Sequence, residues 1–239
     1  MHPPTCLVVQ HVEAEGPFVL ADVLAAAGVQ VRTVRVFAGD ELPGDAGELA
    51  GIVVMGGPMS ARDDAGFPSR ERELALLRDA LRRQTPVLGV CLGAQLLALA
   101  AGGSVFQGER GPEIGWGWVK ATPEAASDAM LAAMNGGMRV LHWHGDTFDL
   151  PPGAALLAES VDYPHQAFRV GPNAWGLQFH LEVDPAAVVA FASAFADEAR
   201  SAGVDPGDIA ARAQSAVAEM LPVRDEILSR FADQVLSPR

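Results

Sequence analysis

The chain has 239 residues, 49% of them hydrophobic, with two cysteines and a formal net charge of −13. That much apolar sequence builds a sizeable core, which speaks against a disordered chain, and two cysteines give no disulfide framework. Lys120 is the one lysine and no basic stripe occurs, so neither nucleic acid nor an anionic membrane is an expected partner. The start, Met1-His2-Pro3-Pro4-Thr5, lacks the basic and apolar regions of a signal peptide, and no apolar run reaches the length of a membrane span. A reducing, cytoplasmic setting is the expectation.

In chain order, Cys6-Leu7-Val8-Val9 reads as a buried strand, residues 18–27 as a helix closed by Gly28, and residues 29–37 as a second strand. A turn-rich acidic loop follows. Gly51-Ile52-Val53-Val54-Met55 is a third strand running into Gly56-Gly57-Pro58, and residues 70–83 form a charged amphipathic helix. Val87-Leu88-Gly89-Val90 is a fourth strand, and Leu92 to Ala101 a helix stopped at Gly102-Gly103. Beyond Gly103, short strands are expected at residues 116–120, 139–143, 155–160, 167–170 and 174–179, interrupted by a helix over 124–134. From Asp184 the pattern is helical, with breaks at 203–207 and at Leu221-Pro222. Strands alternating with helices imply an α/β fold: a mostly parallel sheet, helices on both faces, and a smaller antiparallel β extension. With no linker or repeat, residues 1–239 read as one domain, with a catalytic core over about 5–185 and C-terminal helices over about 186–236.

The chemistry concentrates at Gly89-x-Cys91-x-Gly93, between a strand and a helix. This is the pattern of a nucleophile elbow, in which a sharp turn leaves no room for a Cβ on either side of the reactive residue. The sulfur then projects at a helix N-terminus, where thiolate is favoured. The bland reading is a buried core cysteine. A cysteine nucleophile needs a base and a group to orient it. Of the six histidines, His2 is terminal, and His11 and His165 lie in loops. His180 ends an apolar strand in Gln178-Phe179-His180-Leu181-Glu182, and Glu182 two residues on projects to the same side of an extended segment.

Gly56-Gly57-Pro58, Gly89-Val90-Cys91-Leu92-Gly93-Ala94-Gln95 and Gln178-Phe179-His180-Leu181-Glu182 together resemble the three signatures of the class I, triad-type glutamine amidotransferases. The resemblance extends to about Pro185 and is nearest to the amidotransferase domain of GMP synthetase and its free-standing relatives. It implies a flavodoxin-like fold, Cys91 as nucleophile, His180 as general base and acid, and Glu182 as the orienting carboxylate. It also implies an oxyanion hole from the backbone N–H groups of Gly57 and Leu92, and glutamine contacts from Gly56 and Gln95. Trp143-His144-Gly145-Asp146 resembles the family's Ser-His-Gly-Asp-like substrate loop, which would add His144, Gly145 and Asp146. Read without the resemblance, that loop is a metal-like His-x-His-x-Asp cluster or a set of surface residues. Where the family usually has proline after the histidine, this chain has Leu181, which removes a backbone restraint but no reacting group.

The chemistry so implied needs no metal and no organic cofactor. The chain has no phosphate-cradling Gly-x-x-x-x-Gly-Lys-Ser/Thr loop, so activation of an acceptor with ATP is not expected within it. Ammonia freed from glutamine would pass to a separate synthetase chain, or the protein would hydrolyse γ-glutamyl bonds as a peptidase. A partner-gated or catalytically idle subunit is a further reading. An α/β-hydrolase of the dienelactone-hydrolase type fits less well, because that class places its acid between nucleophile and histidine.

Overall fold

The computed structural model describes residues 3–237. Strands β1 (Thr5–Gln10), β2 (Gln30–Arg35), β3 (Gly51–Val54) and β4 (Val87–Val90) alternate with helices α1 (Phe18–Ala26) and α2 (Arg70–Arg83), and α3 (Leu92–Ala100) follows β4. The two-residue alternation of strand side chains decides the layers. Cys6 and Val8 of β1 join an apolar layer with Leu20, Leu24 and Phe231, while Leu7 and Val9 join the opposite layer with Leu74, Leu77 and Leu96. A strand covered on both faces needs apolar residues at every position, which is why these strands read as unbroken hydrophobic runs.

After α3 the chain forms β5 (Val105–Gln107), β6 (Glu113–Ala121), β7 (Gly137–His144), β8 (Asp146–Phe148), β9 (Ala155–Glu159), β10 (Ala167–Val170) and β11 (Ala174–Leu177). The large sheet runs β2-β1-β3-β4-β11-β10-β9-β6-β7. Pairing is parallel from β2 to β11 and antiparallel from β11 to β7. The expected antiparallel extension therefore continues the parallel sheet from its β11 edge. β5 and β8 pair as a separate antiparallel ribbon; both are three residues long, too short to show a period in the sequence.

The C-terminal part forms α4 (Pro185–Ala194), α5 (Ala196–Ser201), α6 (Pro206–Ala211) and α7 (Ala213–Leu236). The expected break at 203–207 separates α5 from α6. The expected break at Leu221-Pro222 is corrected: α7 runs through Pro222. Its exposed ring replaces one backbone donor, while Val217, Met220, Ile227, Leu228 and Phe231 bury the helix on both sides of it. The expected helix over 124–134 is also corrected, to two 3-10 turns, Pro123–Ser127 and Leu131–Met134. Between them Asp128 is extended and its Oδ1 accepts from the N–H groups of Met130 (2.9 Å) and Leu131 (2.8 Å), capping the second turn. Arg169 and the Trp175 indole hold the same carboxylate in place. The second strand ends at Arg35, and a 3-10 turn takes Val36–Ala38. Among the described residues no helix is long and apolar enough to cross a membrane. His2 lies outside the described residues.

Candidate active site

The site forms at the carboxyl ends of β1, β3, β4 and β11, where a parallel sheet leaves a crevice between its crossovers. β4 and β11 pair in register, Gly89 with Gly176 and Val90 with Leu177, so both strands end at one level. There the Cys91 N–H donates to Leu177 O at 2.7 Å. Cys91 has φ +51° and ψ −106°, a conformation few non-glycine residues adopt and one that the surrounding structure must enforce. The flanking glycines show how. A Cβ on Gly89 would collide with Gly93 O, and a Cβ on Gly93 with Val54 O of β3. The turn is sharp because helix and strand backbones touch.

Past β11 the chain bends back. His180 pairs with Leu141 of β7 through a single antiparallel bridge, with His180 N to Leu141 O at 2.8 Å and Leu141 N to His180 O at 3.2 Å. This fixes the backbone on both sides of the ring. His180 Nδ1 lies 2.8 Å from Glu182 Oε1, both side chains buried. His180 Nε2 is buried and, among the described residues, has no hydrogen-bond partner of normal geometry. Burial pushes the Cys91 thiol above its ordinary value, and its contact with His180 pulls it part of the way back. For His180, burial alone would lower the pKa; the Glu182 carboxylate and the Cys91 sulfur outweigh it and raise the ring well above its ordinary value. The Cys91 sulfur also approaches Trp143 O (3.5 Å) and Gln178 Nε2 (3.7 Å).

Gly57 and Leu92 line the same cavity as Cys91. The Leu92 N–H opens α3 and interacts with Cys91, and the Gly57 N–H bonds to no backbone carbonyl among the described residues. A cavity of about 260 Å³ opens over Cys91. Gln95, His144, Gly145 and Asp146 line it together with Gly57 and Leu92. Gln95 Nε2 donates to Asp146 O and to Gln178 Oε1, each at 3.2 Å. The Asp146 carboxylate meets Ser60 Oγ (3.0 Å) and Arg62 Nε (3.1 Å). Gly145 O receives the Gly108 N–H at 2.8 Å.

The structure also places residues whose roles the sequence does not announce. His11, expected in a loop, is buried under the Gly56-Gly57 segment: Nδ1 donates to Gly56 O at 2.9 Å and Nε2 meets Glu73 Oε2 at 2.8 Å. The Gly56 carbonyl is thus held by the His11 ring. Burial would lower the His11 pKa, but Glu73 and the Gly56 carbonyl together raise it. Glu15 is buried against the same segment, and burial pushes its carboxyl up to about 7. It closes the Val12–Glu15 turn after β1, which in the sequence carries no chemistry by itself. His165 sits outside the site and bonds to Phe148 O.

As for metal ligands, the atoms of Glu113, His142 and His144 lie within 4.8 Å of one another. The His-x-His pair of the sequence pattern thus meets Glu113, while Asp146 faces Ser60 and Arg62. Glu113 is already engaged by Ser160, Gln166 and His144, at 2.7, 2.6 and 3.0 Å, and these bonds tie the start of β6 to the β9–β10 connection and to the end of β7.

Three comparisons bear on this arrangement. The family model for class-I glutamine amidotransferases matches residues 17–189. A glutamine amidotransferase of Thermotoga maritima, solved by crystallography, superposes with a TM-score of 0.88 at 30% identity, covering 98% of this chain and all of that one. The glutamine amidotransferase-like protein YfeJ of Salmonella typhimurium is 34% identical over 164 residues, which is 67% of this chain and 68% of that protein. The glutamine-hydrolysing GMP synthase of Porphyromonas gingivalis is 37% identical over 151 residues, or 62% of this chain, but the match spans only 28% of the synthase. With an elbow cysteine, a buried His–Glu pair and these likenesses in one crevice, the chain belongs to the class-I glutamine amidotransferase family.

Proposed function

We propose that the protein hydrolyses the side-chain amide of glutamine through a γ-glutamyl thioester on Cys91. The observation that carries this reading is the backbone of Cys91 at φ +51°, which aims its sulfur at the buried His180–Glu182 pair. His180 takes the thiol proton, and Glu182 holds the ring tautomer that leaves Nε2 free to do so. The sulfur adds to the δ-carbonyl, and the N–H groups of Gly57 and Leu92 receive the oxyanion; one such donor is typically worth about 10²–10³ in rate. His180 then protonates the departing nitrogen, and a water activated by the same ring opens the thioester to glutamate. Gln95, Gly145 and Asp146 contact the glutamyl group, and His144, bonded to Glu113 and to the Asp146 carbonyl, holds their loop. Ammonia leaves for a separate synthetase chain, a reading supported by the likeness to one part of a much longer GMP synthase.

The test is glutamate release from glutamine by the purified protein, beside a γ-glutamyl dipeptide and with Cys91→Ala as blank. Cys91-dependent turnover of glutamine is the expected result. Preferred dipeptide cleavage would move the assignment to a γ-glutamyl peptidase, and the lack of any turnover or trapped thioester would point to a partner-gated subunit.

A further inference from the structure

The cavity over Cys91 has two chemically different ends. One is built by Gln95, Ser60, Arg62 and Asp146, which hydrogen bonds join into one group. The other is built by Glu15, Trp143, Phe195 and Glu198. His180 belongs to the second end: a Cβ built on Gly56 would strike the Glu15 carboxylate and lie 3.1 Å from His180 Cε1, so the two groups face each other across Gly56. His180 also packs on Phe191 at 5.1 Å, and Phe191 on Phe195 at 4.9 Å. A general acid must reach the nitrogen it protonates, so the leaving group lies at the end where His180 lies.

That end is acidic and aromatic. Glu15 is only 5% exposed, lines the cavity, and has no side-chain hydrogen bond among the described residues. A buried carboxyl without a donor is costly, and a cationic nitrogen is the partner that removes the cost. Glu198, at the mouth, accepts from the Trp143 indole at 3.1 Å, and the Trp143 and Phe195 rings form walls that suit a cation. The basic residue lining the cavity, Arg62, stands at the opposite end and is tied to Asp146.

We propose that Glu15 and Glu198 form the leaving-group subsite, and that it selects γ-glutamyl amides whose departing amine carries a second, positively charged nitrogen. This rests on the Cys91 thioester reading above. The C–S bond forms as the C–N bond breaks, with the proton from His180 going to the departing nitrogen. Water then forms the new C–O bond, the sulfur leaves, and the glutamyl group departs as glutamate. A dipeptide's terminal carboxylate would instead be brought beside two groups of its own charge type, Glu15 and Glu198.

The experiment compares kcat/KM for three γ-glutamyl amides of matched length: of 1,4-diaminobutane, of n-butylamine and of 4-aminobutyrate. Wild type is expected to favour the cationic amide over the neutral one by about tenfold, the scale of one charge-assisted hydrogen bond, and the anionic amide to be poorest. Glu15→Gln and Glu198→Gln should each collapse the cationic-to-neutral ratio toward one. Equal rates on the cationic and neutral amides, or preference for the anionic one, would overturn the subsite while leaving the thioester chemistry standing. Cys91-independent or absent turnover of all three amides and of glutamine would overturn both.

Discussion

The main-chain N–H of Leu181 donates to Glu182 Oε2 at 2.9 Å, while Glu182 Oε1 holds His180 Nδ1 at 2.8 Å. The carboxylate is thus gripped at both oxygens, and the residue that supplies the second grip is the one that departs from the family's usual proline. A proline there has no N–H to give. Leu181→Pro removes a hydrogen bond to a charged group, on the scale of about 1.5–3 kcal/mol. Proline's restriction of the unfolded chain offsets about 0.4–1 kcal/mol of that. The variant should melt a few degrees lower and keep Cys91-dependent turnover within about tenfold of wild type; calorimetry and steady-state kinetics check both.

His11 and Glu73 form a buried pair, with side chains 0% and 1% exposed, under the Gly56-Gly57 segment. Breaking such a pair by removing one partner costs about 3–5 kcal/mol. His11→Ala should lower the melting temperature sharply and reduce kcat more than it raises KM, because the Gly57 N–H is displaced from the oxyanion. The pH dependence has a definite sign. The folded pKa of His11 lies above its ordinary 6.5. Its contribution is therefore fully present below 6.5 and lost as pH rises through the higher folded value. Glu73→Gln should flatten that part of the stability–pH curve.

Glu15 gives a dependence of the same sign, from a carboxyl rather than an imidazole. Its carboxyl is raised from 4.5 to about 7, first by burial, with Glu182 and Glu198 adding repulsion and His180 and His11 opposing it. The folded protein holds this proton more tightly than the unfolded chain, so stability falls as pH rises from about 4.5 through about 7. Glu15→Gln should therefore be relatively more stable than wild type at pH 8 than at pH 5. The Cys91 thiol, which Glu15 also faces, should become easier to ionise in the variant, read as faster alkylation at neutral pH.

Gly93 has the least tolerant position in the elbow, since a Cβ there meets the rigid Val54 carbonyl of the central strand. Gly93→Ala should cost about 4–5 kcal/mol or more and give little folded protein. Cys91→Ala, by contrast, should fold with near wild-type stability while losing all turnover, since it removes the sulfur without adding volume. Circular dichroism melts of the two variants distinguish backbone crowding from lost chemistry.

Much of this protein was legible in order along the chain. Apolar runs at Cys6–Val9, Ile52–Val54 and Val87–Val90 had to be strands covered on both faces, because no half-exposed strand carries such a sequence. Gly89 and Gly93 around Cys91 declared a tight turn, and the two-residue spacing of His180 and Glu182 declared a shared side. Local chemistry at fixed offsets determined these features. Tertiary structure alone decided which distant groups meet. His11 pairs with Glu73, 62 residues away, and Glu113 joins His144, 31 residues away, through packing that no local period encodes. Asp128 breaks the apolar 124–134 segment because Arg169 and Trp175 claim its carboxylate from another strand pair, and α7 passes through Pro222 because buried neighbours on both sides outweigh one missing bond. The acidic end of the cavity belongs to the same class. Glu15 follows β1 and Glu198 lies in α5, and only the folding of both onto one side of His180 makes them a single environment.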